Sequence, residues 1–286
     1  RDEPPTKTYI DPDERPIPTL AAQNKQQQGE EEEGGVPPPV ETLSAAQAQE
    51  AAPVEEVFGL EVAQQLFSKV WAHRDAAFAE VERQLVQADV SRPKTQRALA
   101  LAFRIGLKDK IPQVYTAALA VLKRVAEQGS DKGVDLSASL DGVAATVMSR
   151  LADSNSRVST ATMESLQHLA TSSSFSGTVI PLALRPLKDS QAPRPLHLRI
   201  LLLHNLSRQV EVGPASGLSL DKLMPILTVG WNSPNDQVRK AATVFTRDLH
   251  TQLGAAKLAP YLKNVKPQIR ELIMGEDAPP PAPPPA

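Results

Sequence analysis

The chain has 286 residues, 41% apolar, 22% charged and only 4% aromatic, enough for one large domain or two small ones. It holds no cysteine, which excludes disulfides, thiolate zinc sites and cysteine nucleophiles and fits a reducing compartment. A formal net charge of −2 conceals a division: residues 1–54 carry 4 Lys/Arg against 11 Asp/Glu, and residues 55–276 carry 27 against 21. That modest basic excess favours an acidic partner by steering but is too small to call for nucleic acid. Arg1 in place of a start methionine and the proline-rich ends predict an internal piece of a longer protein, flanked by linkers. With no apolar run near the roughly 20 residues of a membrane span, no membrane association is expected.

Residues 1–54 hold 9 of the 26 prolines, the Gln26–Gln28 run and the acidic run Glu30–Glu33, a composition that predicts a disordered Pro/Gln/Glu-rich linker. Within it, Tyr9-Ile10-Asp11-Pro12-Asp13-Glu14-Arg15-Pro16-Ile17-Pro18 has two readings: a stiff linker, or a docking motif for a linear-motif partner. The closing residues 277–286 are a second proline-rich linker.

Between these flanks the apolar residues recur three and four apart, with no sustained alternation, which predicts an all-α region over 55–276. Successive stripes are Phe58, Val62, Leu66 and Val70; Phe78, Val81 and Leu85; Ala98, Ala102 and Ile105 with Leu99 and Phe103; and Val114, Ala118, Val121, Leu122 and Val125. They continue with Leu140, Val143, Val147 and Leu151; Val158, Ala161, Leu166 and Leu169; Leu196, Ile200 and Leu203; Leu223, Ile226 and Leu227; and Val238, Ala242, Phe245 and Leu249. Helices of about 12–18 residues are expected. Ser91, Ser137, Ser219 and Asn235 stand where helix starts need capping side chains.

The short turns resemble one another. Leu107-Lys108-Asp109-Lys110, Leu151-Ala152-Asp153-Ser154-Asn155, Leu187-Lys188-Asp189-Ser190-Gln191 and Trp231-Asn232-Ser233-Pro234-Asn235-Asp236 each separate two helical stripes. The first three aspartates lie 44 and 36 residues apart. One helical hairpin per roughly 40 residues, with a polar turn, is the pattern of HEAT repeats, here five to six of them. Such a solenoid has no deep pocket, and no chemistry offsets that. The histidines His73, His168, His197, His204 and His250 are scattered, Gly129-Ser130-Asp131-Lys132-Gly133 lacks the end of a phosphate-binding loop, and no nucleophile elbow appears. No enzyme activity, cofactor or metal is expected.

What remains is the row of turns. Ser68-Lys69-Val70-Trp71-Ala72-His73-Arg74 puts a tryptophan between cations, the composition of a binding hot spot, although a core Trp closing the solenoid fits equally. This segment, with Phe58-Gly59-Leu60-Glu61 before it, the repeats after it and Gln237-Val238-Arg239 in the fifth repeat, resembles a TOG domain, the tubulin-binding HEAT array of microtubule regulators, over about residues 55–276. The resemblance implies a paddle whose intra-repeat turns bind the αβ-tubulin heterodimer or microtubule end, in a protein of the cytoskeleton at microtubule or ciliary tips, centrioles or basal bodies, promoting elongation or stabilising plus ends. Carried over, Trp71 is the aromatic meeting β-tubulin, flanked by Lys69 and Arg74. Lys108 and Lys110 fall on the second turn, Asn155 and Arg157 on the third, Lys188 and Arg194 on the fourth, and Arg239 with Lys240 on the fifth, facing α-tubulin. Set against this, Arg157 and Arg239 stand where HEAT repeats use arginine structurally, the lone lysines have the bland reading of solvated charges, and Trp231 reads first as core. The alternative function is a generic HEAT scaffold that binds another protein on its helical face.

Overall fold

The computed structural model describes residues 38–187, 192–263 and 265–274. The motif at 9–18, Lys188 and the closing proline run lie outside these residues. The chain divides into residues 1–39 and residues 40–286, and the second unit is the one described here.

Among the described residues there are thirteen helices and no strand. They are α1 (Ala45–Phe58), α2 (Leu60–Leu66), α3 (Trp71–Leu85), α4 (Pro93–Gly106), α5 (Pro112–Asp131), α6 (Val143–Ser149), α7 (Ser156–Thr171), α8 (Ser176–Leu184), α9 (Pro193–Ser207), α10 (Leu220–Trp231), α11 (Asp236–Leu253), α12 (Ala255–Leu262) and α13 (Pro267–Met274). Contacts run along two rows. Helices α3, α5, α7, α9 and α11 pack in succession as one layer, and α1, α4, α6, α8 and α10 as the other. Each hairpin thus contributes one helix to each layer, the architecture of an all-α HEAT-type solenoid.

The stripes face inward as their period requires. Phe78, Val81, Leu85, Leu99, Phe103, Val121, Leu122, Val147, Leu166, Ile200, Leu227, Phe245 and Leu249 are all buried, whereas Ile105, Ala161 and Ile226 are only half-buried at the rims of their stripes. Close approach of the two layers depends on glycine at two equivalent places. A Cβ on Gly106 would stand 2.2 Å from Phe78 Cζ, and one on Gly230 2.7 Å from the Ala242 Cβ. No side chain fits between the helices there.

Three expectations need correction. The linker expected through residue 54 ends sooner, because α1 begins at Ala45 behind a capping box formed by Ser44 and Gln47. Ala51 and Val54 are fully buried and α1 packs on α4, so residues 45–54 belong to the folded unit. The stripe from Phe58 to Leu66 is two helices, broken at Gly59 with φ 91°, a left-handed value that glycine alone adopts cheaply. Finally, the first helix of the third repeat is short, 7 residues. Leu136 and Leu140 reach the core from the irregular segment before it.

Helix starts also differ in detail. Asn155 and Asn235 cap α7 and α11 with their side chains. Ser219 occupies the cap of α10 without a side-chain bond, and Ser91 instead bonds Asp89 one residue ahead of the Arg92 cap. Ser137 precedes no helix, its amide donating to Asp135.

Candidate functional site

Among the described residues, intra-repeat turns lie at 67–70, 107–111, 150–155 and 232–235, each leading into a helix of the α3, α5, α7, α9 and α11 layer; the fourth turn, between α8 and α9, is described only in part. Four of these turns, the first, second, third and fifth, show how sequence shapes the turn locally. Two residues before the helix cap stands a short polar side chain that accepts the cap residue's own N–H: Ser68 from Val70 at 3.1 Å, Asp109 from Ile111 at 2.9 Å, Asp153 from Asn155 at 2.9 Å and Ser233 from Asn235 at 3.3 Å. This local bond satisfies an amide that the helix cannot, and it closes the turn.

Bonds between neighbouring repeats then tie the first, second and third turns and the start of α9 to one another. Arg74 Nε donates to Asp109 Oδ2 at 2.6 Å, a pair in which the Asp109 side chain is only 5% exposed. Arg150 reaches back from the third turn to the carbonyl of Asp109 while its Nε and Nη2 hold Asp153 Oδ2. Its guanidinium carbon sits 4.3 Å from the centroid of the Tyr115 ring, a stacking that suits the planar cation. Burial raises the Tyr115 phenol above its ordinary pKa, and its hydroxyl is bonded to Thr162. From the fourth turn, Arg194 donates to the carbonyls of Ala152 and Asp153. Pro193 and Arg194 share a shallow cavity with Asn235 and Gln237 of the fifth.

The residues singled out by sequence fall into three groups on this edge. Trp71, the first residue of α3, is 40% exposed, whereas Trp231 is 2% exposed with its indole nitrogen inside the core. The two readings open for tryptophan therefore divide between the two residues. Lys69, Lys108, Lys110, Arg157 and Lys240 are exposed and carry no side-chain partner among the described residues. Arg74, Asn155, Arg194 and Arg239 are engaged within the fold. Arg74 also bonds the carbonyls of Ser68 and Lys69, and Asn155 caps α7. Arg239 bonds the carbonyls of Ser233 and Pro234 and pairs with Asp236. Sequence reasoning passed over Arg150, whose only signal was an arginine next to a turn aspartate, and the buried Ser68–His73 hydrogen bond of 2.9 Å that fastens the turn below Trp71.

Among its described residues the edge presents exposed cations and the exposed face of Trp71. Among the described residues no cluster of three or more histidine, aspartate or glutamate side chains has the arrangement of a metal site. No described helix is long and apolar enough to cross a membrane. A cavity of about 510 Å³ lies among Pro181, Leu184, Arg185, Leu187, Pro225 and Val229, between α8 and α10 and beside the start of the fourth turn.

Comparison with known proteins bears on this arrangement. The TOG domain of human Cep104 superposes with a TM-score of 0.66 at 20% identity, over 83% of this chain and 97% of that one. A second CEP104 TOG domain structure gives 0.63 at 24% identity, over 82% and 94%. The third TOG domain of Drosophila melanogaster Mini spindles gives 0.59 at 22%, over 77% and 96%. These likenesses establish the fold. Curated proteins yield no match. The family model for the TOG domain of centrosomal protein CEP104 matches residues 48–245, well over half of the sequence, and the chain belongs to that family.

Proposed function

We propose that this chain is a tubulin-binding module that engages the αβ-tubulin heterodimer through its intra-repeat turns. The observation that carries the reading is the composition of one edge: exposed Trp71 at one end, then Lys69, Lys108, Lys110, Arg157 and Lys240, without a side-chain partner among the described residues, at successive intra-repeat turns. Tubulin is acidic, so a row of free cations supplies steering and an aromatic supplies a desolvated anchor. Relatives of the fold support the same reading, since one structure, at TM-score 0.62 and 16% identity, concerns tubulin recruitment and assembly by microtubule polymerases with TOG arrays. Another, at 0.61 and 11%, concerns TOG–tubulin binding specificity.

Within this proposal the contacts are Trp71, Lys69, Lys108, Lys110, Arg157 and Lys240, with Lys188 an additional contact on the fourth turn. Arg74, Asn155, Arg194 and Arg239 act chiefly by shaping the turns. We place the module at microtubule or ciliary tips, where it promotes elongation or stabilises plus ends; its membership in the CEP104 TOG family supports this reading. Size-exclusion chromatography with unpolymerised tubulin tests it. A stable complex is the expected result, and co-elution no better than with a HEAT scaffold of similar charge overturns it.

A further inference from the structure

The turns of this edge share a feature that sets them in two classes. Four residues after the helix cap, the first and fifth repeats place Arg74 and Arg239, and each uses Nη1 to bond the carbonyls six and five residues earlier. In the second and third repeats the same position holds Tyr115 and Ser159, which cannot reach in that way. The equivalent carbonyls, six residues back, are those of Asp109 and Asp153. Both are taken by an arginine from the next repeat: Asp109 by Arg150 and Asp153 by Arg194. The Tyr115 ring that replaces the missing arginine becomes the surface on which Arg150 lies.

We infer that Arg150 is a positioning residue of the edge, fixing the spacing of the second and third turns so that Lys110 and Arg157 meet tubulin together. The inference rests on the tubulin reading above. Its chemistry is that of a guanidinium with every face used: Nε and Nη2 on the Asp153 carboxylate, Nη1 on the Asp109 carbonyl, the plane on Tyr115. Only a planar fork of five donors does all three at once. Because Arg74 holds the Asp109 carboxylate from the other side and Arg194 the Asp153 carbonyl, Arg150 is the middle link of a chain from the first turn to the fourth. A partner that touches several of these turns then binds a strip already ordered, and preorganisation lowers the entropic cost of binding.

The substitution Arg150→Lys in the full chain tests this, since it keeps the charge and removes the fork. Amide exchange at Ile111 and Asn155, whose N–H groups the Asp109 and Asp153 carboxylates accept, should quicken by roughly tenfold, as expected for loss of a charge-assisted bond. Mid-helix amides of α5 should not change. Dissociation from unpolymerised tubulin should quicken by about the same factor, while association at low salt, governed by net charge, stays as in the parent. The coupling between Lys110→Ala and Arg157→Ala, measured as a double-mutant cycle, should vanish in the Arg150→Lys background. Unchanged exchange, unchanged dissociation, or a loss confined to association overturns the inference alone. A parent chain that forms no complex overturns the tubulin reading and the inference with it. Should Arg150→Lys fail to fold, Asp153→Asn carries the same test, because it keeps an oxygen for the Asn155 amide and removes the charge that holds Arg150.

Discussion

At the residue scale, identical side chains have opposite fates according to where the helical period sets them. Trp231 ends α10 on the inward stripe and is 2% exposed, while Trp71 opens α3 on the turn edge and is 40% exposed. Composition cannot separate them, because both stand beside a helix-to-helix turn; the separation comes from which helix end each occupies. Trp231→Ala is therefore expected to cost roughly 3–5 kcal/mol of folding stability, measured by denaturant unfolding. Trp71→Ala should leave the unfolding midpoint near that of the parent and weaken tubulin binding by about 2 kcal/mol or more, measured by titration. A Trp71→Ala chain that unfolds readily would identify Trp71 as core. One that is folded and binds tubulin normally would remove it from the interface.

At the element scale, the two layers are limited by how closely their helices approach and by where the first helix begins. Gly106→Ala gains up to about 1 kcal/mol of helix propensity, but its Cβ would lie 2.2 Å from Phe78 Cζ and 2.7 Å from Ala118 Cβ. Phe78 is fully buried and has nowhere to turn, so the overpacking cost of about 1–3 kcal/mol or more dominates. Net destabilisation is the expected outcome of thermal unfolding. Gly177, with nothing within 4 Å of its would-be Cβ, is the control and should tolerate alanine without loss. The first helix makes the second test. A chain beginning at Val40 should unfold like the parent. One beginning at Glu55 loses Ala51 and Val54 from the contact with α4, where a buried Val alone is worth about 1.5–3 kcal/mol, and should melt earlier. Most of the fold was legible in the sequence because the stripes have a clear helical period, and the turns were found by their aspartates. The beginning of α1 was not, because Gln, Glu and Ala around Ala45–Glu50 give almost no apolar contrast and Pro53 lies inside the helix, which together read as linker. The candidate edge was legible as a row of cations, yet which cations are free depends on carbonyls and carboxylates brought near by folding, and no spacing rule reports those.

At the scale of the whole molecule, the edge combines two sorts of positive charge with different duties, and that division has a measurable consequence. Arg74 is 16% exposed and its partner Asp109 5%; removing the guanidinium strands a buried carboxylate, a change that typically costs about 3–5 kcal/mol. Lys69, Lys108, Lys110, Arg157 and Lys240 are exposed and have no side-chain partner among the described residues, and surface charges of this kind contribute little to folding, on the order of 0–1 kcal/mol. Their effect is felt at a distance. An acidic partner approaching the edge responds to the free cations through a field screened over about 8–10 Å at physiological salt. Substituting Lys69, Lys108, Lys110, Arg157 and Lys240 by glutamine should therefore slow association with tubulin and flatten its dependence on ionic strength, with the melting temperature unmoved. Arg74→Ala should do the reverse, lowering the melting temperature while leaving the salt dependence of association close to that of the parent. Stopped-flow association at several salt concentrations, paired with calorimetry, separates the two. A glutamine series that melts early, or an Arg74→Ala chain that is stable but loses its salt dependence, would mean that the division between holding the edge and presenting it has been drawn through the wrong residues.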